Sequence, residues 1–327
     1  MQLLPSFRVA RPRDLAEASA ILAGDPNARI LAGGTDLVAS LRDGLVAPST
    51  LVDLAAIEGL ATIAYDAEGM SIGACVTLAR LAADVRIRTS FPAIAEAAAS
   101  VAGPAHRSVA TVGGNLCLDT RCVFYNQSEW WRRANRYCLK YRGDVCHVAP
   151  QGNSCQAAYS GDLAPALLAF DAEVELAGAG GSRRIALADL YVEDGAAHLA
   201  LRAGEIVAAV HVPAAIAHVR SGYRKARVRG AIDFPLAGVA AAVYLEGGLL
   251  RSLRIALTGT NARPFALQGT DEMTGKAPDE TLLAAIGKLV QHQVRPLRTT
   301  VTAANYRRQV AAVLARRLVH ELAPAAL

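Results

Sequence analysis

An α+β fold is predicted, with short strands and helices mixed through the first two thirds of the chain and a separate sheet-and-helix unit at its end. Three observations point there. Up to about residue 213, short apolar strands alternate with helical patterns and punctuating glycines. From Ser221 onward three longer runs alternate at strand spacing: Gly222–Arg229, Ala237–Glu246 and Leu249–Gly259. Two amphipathic patterns at helical spacing, Asp279–Gln293 and Thr302–Glu321, then close the chain.

Along the chain, Asp14 is placed to cap a helix over Leu15–Leu22, and a turn at Gly24–Asn27 leads into the strand Arg29–Ala32. That strand stops at Gly33-Gly34-Thr35-Asp36, and Leu37–Leu41 starts a helix. Val52–Leu54 and Met70–Val76 read as strands, which makes Cys75 a buried core thiol. Helices are expected over Leu78–Val85, Pro92–Ser100 and Leu163–Phe170, with strands over Glu173–Leu176 and Gly204–Pro213. Gly247-Gly248 fits a two-residue hairpin turn. A boundary is placed after Pro213, where the pattern changes; the expected division is 1–57, 58–215 and 216–327, with an anomalous stretch at 118–158. The C-terminal part is expected to hold a three-stranded antiparallel sheet with helices.

Composition excludes several function classes. Of 327 residues 53% are apolar, enough for real cores and unlike a disordered chain. The formal charge of +5 is spread out, without a basic arm interleaved with aromatics, so no nucleic-acid partner is expected. No apolar run is long enough to span a bilayer and the start lacks the pattern of a signal peptide, so no membrane role is expected and the expected compartment is the cytoplasm.

No GxGxxG follows a strand, so a Rossmann cofactor domain is unsupported. Two glycine pairs stand in its place: Gly33-Gly34 beside Thr35 and Asp36, and Gly113-Gly114 beside Thr111 and Asn115. Without Cβ atoms, such loops can turn backbone N–H groups toward phosphate oxygens. Spacing alone does not say which nucleotide.

The motifs Leu31-Ala-Gly-Gly-Thr-Asp-Leu37 and Ala110-Thr-Val-Gly-Gly-Asn-Leu116 resemble the two FAD loops of the flavoprotein subunit in the xanthine oxidase and carbon monoxide dehydrogenase family of molybdenum hydroxylases. Ser160-Gly-Asp-Leu-Ala-Pro-Ala-Leu167, Gly204-Glu-Ile-Val207, the run Gly222–Phe234 and the closing Tyr306–Leu318 match the family in the same order. The resemblance covers the chain apart from 118–158. It implies the family's two-subdomain FAD-binding fold, with FAD held by Leu31, Ala32, Gly33, Gly34, Thr35, Asp36 and Leu37 and by Thr111, Gly113, Gly114 and Asn115. It further implies that Val101 and Ala102 line the adenine end, that Asp162 bonds the nucleotide, that Ile206 and Val207 pack on the cofactor, and that Lys225 lies near the flavin. For Lys225 the alternative is a strand-edge ion pair with Asp233, and for Ile206 and Val207 an ordinary core role.

Five of the six cysteines fall between Cys117 and Cys155, in a block that also holds both tryptophans. Cys117 adjoins the second glycine loop and is set aside as a ligand. Cys122, Cys138, Cys146 and Cys155 are separated by fifteen, seven and eight residues, with none of the tight CxxC pairs usual at structural zinc. From spacing, an iron–sulfur cluster, a zinc ion and uncoordinated thiols all stay open. His147 is either a substitute ligand or a surface imidazole, and Trp130, Trp131, Arg132 and Arg133 either face an acidic partner or pack the block.

The insertion itself resembles that of the 4-hydroxybenzoyl-CoA reductase β subunits, a branch of the same family; ordinary members lack it. This resemblance implies a [4Fe–4S] cluster on all four cysteines. It also implies a path from ferredoxin through the cluster and FAD to the [2Fe–2S] clusters of a small subunit and the molybdenum of a large one, in a dimer of heterotrimers. The substrate would then be reduced on the large subunit, and no catalytic acid or base is expected here.

Overall fold

The computed structural model describes residues 4–214 and 219–324. Three strands near the N-terminus, Arg8–Ala10, Thr50–Asp53 and Arg29–Leu31, form a parallel sheet with Thr50–Asp53 in the middle. The helix Leu15–Gly24 joins the first two strands in sequence, and the Asp14 carboxylate caps it by accepting the Glu17 N–H at 2.8 Å. Ala18, Ala28 and Val52 then pack against Ile206 and Ala208 of the next sheet, which fixes this small unit on its neighbour.

That neighbour is a five-stranded antiparallel sheet in the order Ile63–Tyr65, Gly69–Gly73, Ile206–Pro213, Glu173–Gly178, Gly181–Ala186. The third sheet, also antiparallel, runs Phe265–Ala266, Leu249–Thr258, Ala237–Glu246, Arg220–Ala226. Its long strand Ala237–Glu246 is buried on both faces, and its sequence shows how. Ala240 and Ala242 face the helices Pro92–Ser100 and Leu163–Leu168 within the main core. Val239, Ala241 and Val243 face the helices Glu280–Gln293 and Ala304–Leu322. Small side chains on one face let the short helices approach the sheet closely.

Most predicted elements form, and the departures have local causes. The helix expected over Leu78–Val85 ends at Ala83. Asp84 leaves helical geometry, accepts the N–H groups of Arg86 and Ile87, and starts a second helix, Val85–Ser90. The strand expected to reach Val76 ends at Gly73, and Cys75 is half-buried at the margin of a core rather than inside it. The C-terminal sheet has four strands, not three, because the two-residue strand Phe265–Ala266 pairs with Ala256 and Leu257. The strand Gly181–Ala186 was not anticipated; its Ser-Arg-Arg sequence pairs along Glu173–Gly178 at an exposed edge. Gly247 and Gly248 make the expected hairpin turn, both left-handed with φ of 60° and 77°. The expected boundary at 215/216 lies outside the described residues.

The stretch 118–158 forms a small cluster of its own that packs on the rest of the chain through Leu45, Gly44, Asp194 and Thr299. Arg121 and Ala158 exchange backbone hydrogen bonds of 2.8 Å and close its neck. One helix forms inside it, Glu129–Ala134, capped by Ser128. Its apolar core is Leu45, Cys122, Tyr125, Cys138, Cys155 and Ala157. Arg136, Tyr137 and Arg142, all non-glycine, hold φ near +60° on either side of Cys138. Such left-handed residues are uncommon, and here they wind the backbone tightly around one thiol.

Candidate functional site

The two glycine loops meet each other. A Cβ on Gly33 would strike the Val109 carbonyl, just ahead of the second loop, and would lie 3.0 Å from Ala110 Cα. Gly34 is left-handed with φ of 70°. A Cβ on Gly113 would come within 2.8 Å of Ala74 Cβ, while Thr111 Oγ1 accepts the Gly114 N–H at 3.1 Å. Glycine is thus required by close backbone approach at Gly33 and Gly113. Beside the first loop lies an open cleft lined by Gly33, Gly34, Thr35, Val38, Arg42 and His106, among others. Thr35 is exposed there, and Leu31, Ala32 and Leu37 are half-buried around it.

Several predicted cofactor residues are engaged with protein groups. Asp36 leaves the N-terminus of its own helix uncapped and pairs with Arg121 at the neck of the insertion. The Arg121 guanidinium also lies 5.1 Å over the Phe234 ring, and burial brings its pKa down to about 10. Asn115 Oδ1 accepts the Leu163 N–H at 2.9 Å, tying the second loop to the Ser160–Leu167 segment.

Asp162, expected to bond the nucleotide, and Lys225, expected near the flavin, form one buried ion pair at 3.0 Å, each side chain 4% exposed. Tyr223 donates to the same carboxylate at 2.7 Å. Burial pushes the Asp162 carboxyl above its ordinary value, against the opposing pull of Lys225 and Tyr223. The alternative pairing of Lys225 with Asp233 does not occur: Asp233 accepts the Val228 and Arg229 N–H groups and pairs with the Arg229 side chain. Ile206 and Val207 are both buried in hydrophobic clusters. Val101 ends the Pro92–Ser100 helix with its carbonyl held by Arg107, and Ala102 is left-handed with φ of 43°.

The four cysteines of the insertion come from four separate turns, yet all line one cavity with Phe124, Tyr125, Leu139, Lys140, His147, Val148 and Ala157. Each is at most 9% exposed. Burial lifts the Cys155 thiol to about 12 and raises Cys122 as well. Backbone N–H groups oppose that rise, from Phe124 and Tyr125 on Cys122 and from Ala157 on Cys155 Sγ at 3.5 Å. Among the described residues, no three His, Cys, Asp or Glu side chains converge closely enough to hold one metal ion. The thiols surround a space rather than meet at a point. Cys117 lies elsewhere, half-buried against the main core, with its thiol raised to about 12 by burial.

His147 is not a surface imidazole. Its ring lines the thiol cavity 5.3 Å from the Phe124 ring, and Nε2 donates to the Tyr137 carbonyl. The aromatic and basic residues of the insertion divide. Arg132 is buried at 1% exposure, bonded to the Gly44 carbonyl and Glu129, while Trp130 is 69% exposed. Sequence reasoning missed Lys140, Asp119 and His198, whose proximity depends on contacts across the neck that no local pattern announces.

A family model described as the FAD binding domain in molybdopterin dehydrogenase matches residues 5–215, and one described as the CO dehydrogenase flavoprotein C-terminal domain matches residues 221–322. The chain is 33% identical to the FAD-binding subunit of an Escherichia coli K12 aldehyde oxidoreductase, over 82% of this chain and 86% of that one. It is 28% identical to the carbon monoxide dehydrogenase medium chain of Afipia carboxidovorans, over 96% of each. Among solved structures, the reconstituted CO dehydrogenase from Oligotropha carboxidovorans superposes with a TM-score of 0.82 at 25% identity, covering 99% of this chain and 100% of that chain. The chain belongs to the FAD-binding medium subunits of the xanthine oxidase and carbon monoxide dehydrogenase family, and is an oxidoreductase subunit of that molybdenum hydroxylase type. Among the described residues, no helix is long and apolar enough to cross a membrane.

Proposed function

We propose that this chain carries both FAD and a [4Fe–4S] cluster, as the electron-transfer subunit of a molybdenum enzyme that reductively dehydroxylates 4-hydroxybenzoyl-CoA to benzoyl-CoA. The overall change takes up two electrons and two protons and releases water. Ferredoxin is the donor; a small subunit with [2Fe–2S] clusters and a large molybdenum subunit complete a heterotrimer, paired as a dimer. In this reading residues 1–57 and 58–215 hold FAD, 118–158 holds the cluster, and 216–327 form the C-terminal domain.

The observation that carries the reading is the convergence of Cys122, Cys138, Cys146 and Cys155 on one buried, mostly apolar cavity. Four thiols around a space suit a cluster better than a single ion, which needs its ligands gathered near one point. When bound, a cluster carries single electrons and a flavin exchanges them singly or in pairs. The chain's own residues do the positioning. The N–H group of Ala157 supports Cys155 Sγ, and those of Phe124 and Tyr125 support Cys122, as thiolates. Ligation then draws protons off thiols that burial otherwise keeps protonated. The Arg121–Asp36 pair ties the insertion to the first glycine loop and so fixes the two sites relative to each other. For FAD, the proposed holders are the backbone of Ala32–Leu37 and Thr111–Asn115, where Gly33 and Gly113 leave no room for a side chain.

The aldehyde, xanthine and carbon monoxide enzymes among its relatives favour a second reading, an ordinary molybdenum hydroxylase FAD subunit with a structural metal in the insertion. Anaerobic purification with iron, sulfide, zinc and flavin assayed together separates the two. About four iron and four sulfide per FAD, with a reduced-cluster EPR signal lost in Cys138→Ser, supports the reductase reading. One zinc without sulfide sinks it.

A further inference from the structure

Only four of the 34 basic residues are lysines, and the two with buried side chains are Lys140 and Lys225. Lys225 faces Asp162 in the main body. Lys140, 6% exposed, lines the four-cysteine cavity. Its ammonium donates to Asp119 Oδ1 at 2.6 Å, to the Gly195 carbonyl at 3.0 Å, to the Thr120 carbonyl at 3.2 Å and to the Thr120 hydroxyl. Four acceptors already compete for three N–H groups, so none is left over for sulfur. Lys140 therefore acts on the cavity by charge rather than by hydrogen bonding.

That charge is unevenly compensated. Asp119 is 37% exposed and its field is screened by water, while the ammonium sits inside the wall. Nζ lies 4.9 Å from the centre of the Tyr125 ring, another wall of the cavity. The Arg132 guanidinium stands 5.8 Å from the centre of the same ring, with Glu129 as its partner. Desolvation lowers the pKa of the buried His198, against the opposing pull of Asp119.

We propose that Lys140 is a positioning residue whose charge sets the reduction potential of the site formed by the four thiolates. This inference rests on the cluster reading above. Adding one electron from the donor places one more negative charge in the cavity, with no bond made or broken and no proton exchanged at Lys140. A fixed ammonium in the wall stabilises that added charge and makes reduction easier.

The test is an EPR-monitored redox titration of the whole complex, with iron and sulfide content measured on the same samples. Lys140→Met should keep its iron and shift the reduced-to-oxidised ratio at fixed potential about tenfold toward oxidised, 59 mV lower for a one-electron couple. Lys140→Arg should stay near wild type. Asp119→Asn, which leaves the ammonium uncompensated, should move the potential the opposite way, and it decides the matter if Lys140→Met loses iron. A purely structural lysine gives no such opposed shifts. Iron retained with unmoved potentials in Lys140→Met and Asp119→Asn overturns this inference alone. A wild-type complex without iron or sulfide overturns it together with the cluster reading.

Discussion

The glycine-loop frame and the cysteine insertion are built by opposite means. In the frame, the proposed cofactor site is built from backbone: Gly33 and Gly113 bring chain segments into direct contact, and the Thr111 and Asn115 side chains brace the loops. In the insertion the proposed site is built from side chains: thiols contribute to the core, and buried Lys140 and Arg132 both stand near the Tyr125 ring. Secondary structure contributes a single short helix there. A backbone-built site tolerates no added atoms, whereas a side-chain-built site depends on whatever fills its centre.

The largest effect that would sharpen this contrast is expected from Cys155→Ser. It should abolish iron binding and open 118–158 to protease, while flavin content stays at wild-type level. Iron assay, flavin absorbance and mapping of the cleavage sites check it, and loss of flavin along with iron would mean that the two regions share one stability.

Lys225→Met comes next, because it leaves the Asp162 carboxylate buried without its cation, a loss of roughly 3–5 kcal/mol. Its pH dependence has a definite sign. Burial raises the Asp162 carboxyl in the folded state, so the fold holds that proton more tightly than the unfolded chain does, and this group's contribution falls as pH rises through the raised value. Without Lys225 the rise grows. The Tm deficit of Lys225→Met against wild type should therefore be larger at about pH 8 than at about pH 5. An equal deficit at both would show that the carboxylate is not buried alone.

Gly33→Ala should cost about 1–3 kcal/mol, since its methyl group meets the Val109 carbonyl rather than a flexible side chain. Flavin titration should show weaker binding in the same variant, and unaltered flavin affinity would remove the first loop from the cofactor site. The smallest effect belongs to Thr111→Ala, about 1 kcal/mol from the lost cap on the Gly114 N–H, read as a shift in the denaturation midpoint.

How much was legible in the sequence follows the same division. Strands and helices of the frame could be read because alternation and helical spacing report burial locally, and the Gly247-Gly248 turn was visible as a two-residue pattern. The two-residue strand Phe265–Ala266 was not, because it is too short to show a period. Glycine pairs and cysteines could be picked out by residue type. Their surroundings could not: His147 in the thiol cavity, Lys140 against Asp119 and Gly195, and Asp162 paired with Lys225 join segments up to 63 residues apart.

Residue type and order marked two glycine loops and a cysteine-rich insertion, and their resemblance to a known family implied FAD, since few side chains can replace a glycine at a close backbone approach or a thiol in an apolar wall. Only the tertiary structure decided that four thiols share one cavity and that a buried lysine stands beside them. Electrostatic partners are set by distance in space, and distance across a neck such as Arg121–Ala158 leaves no trace in local pattern.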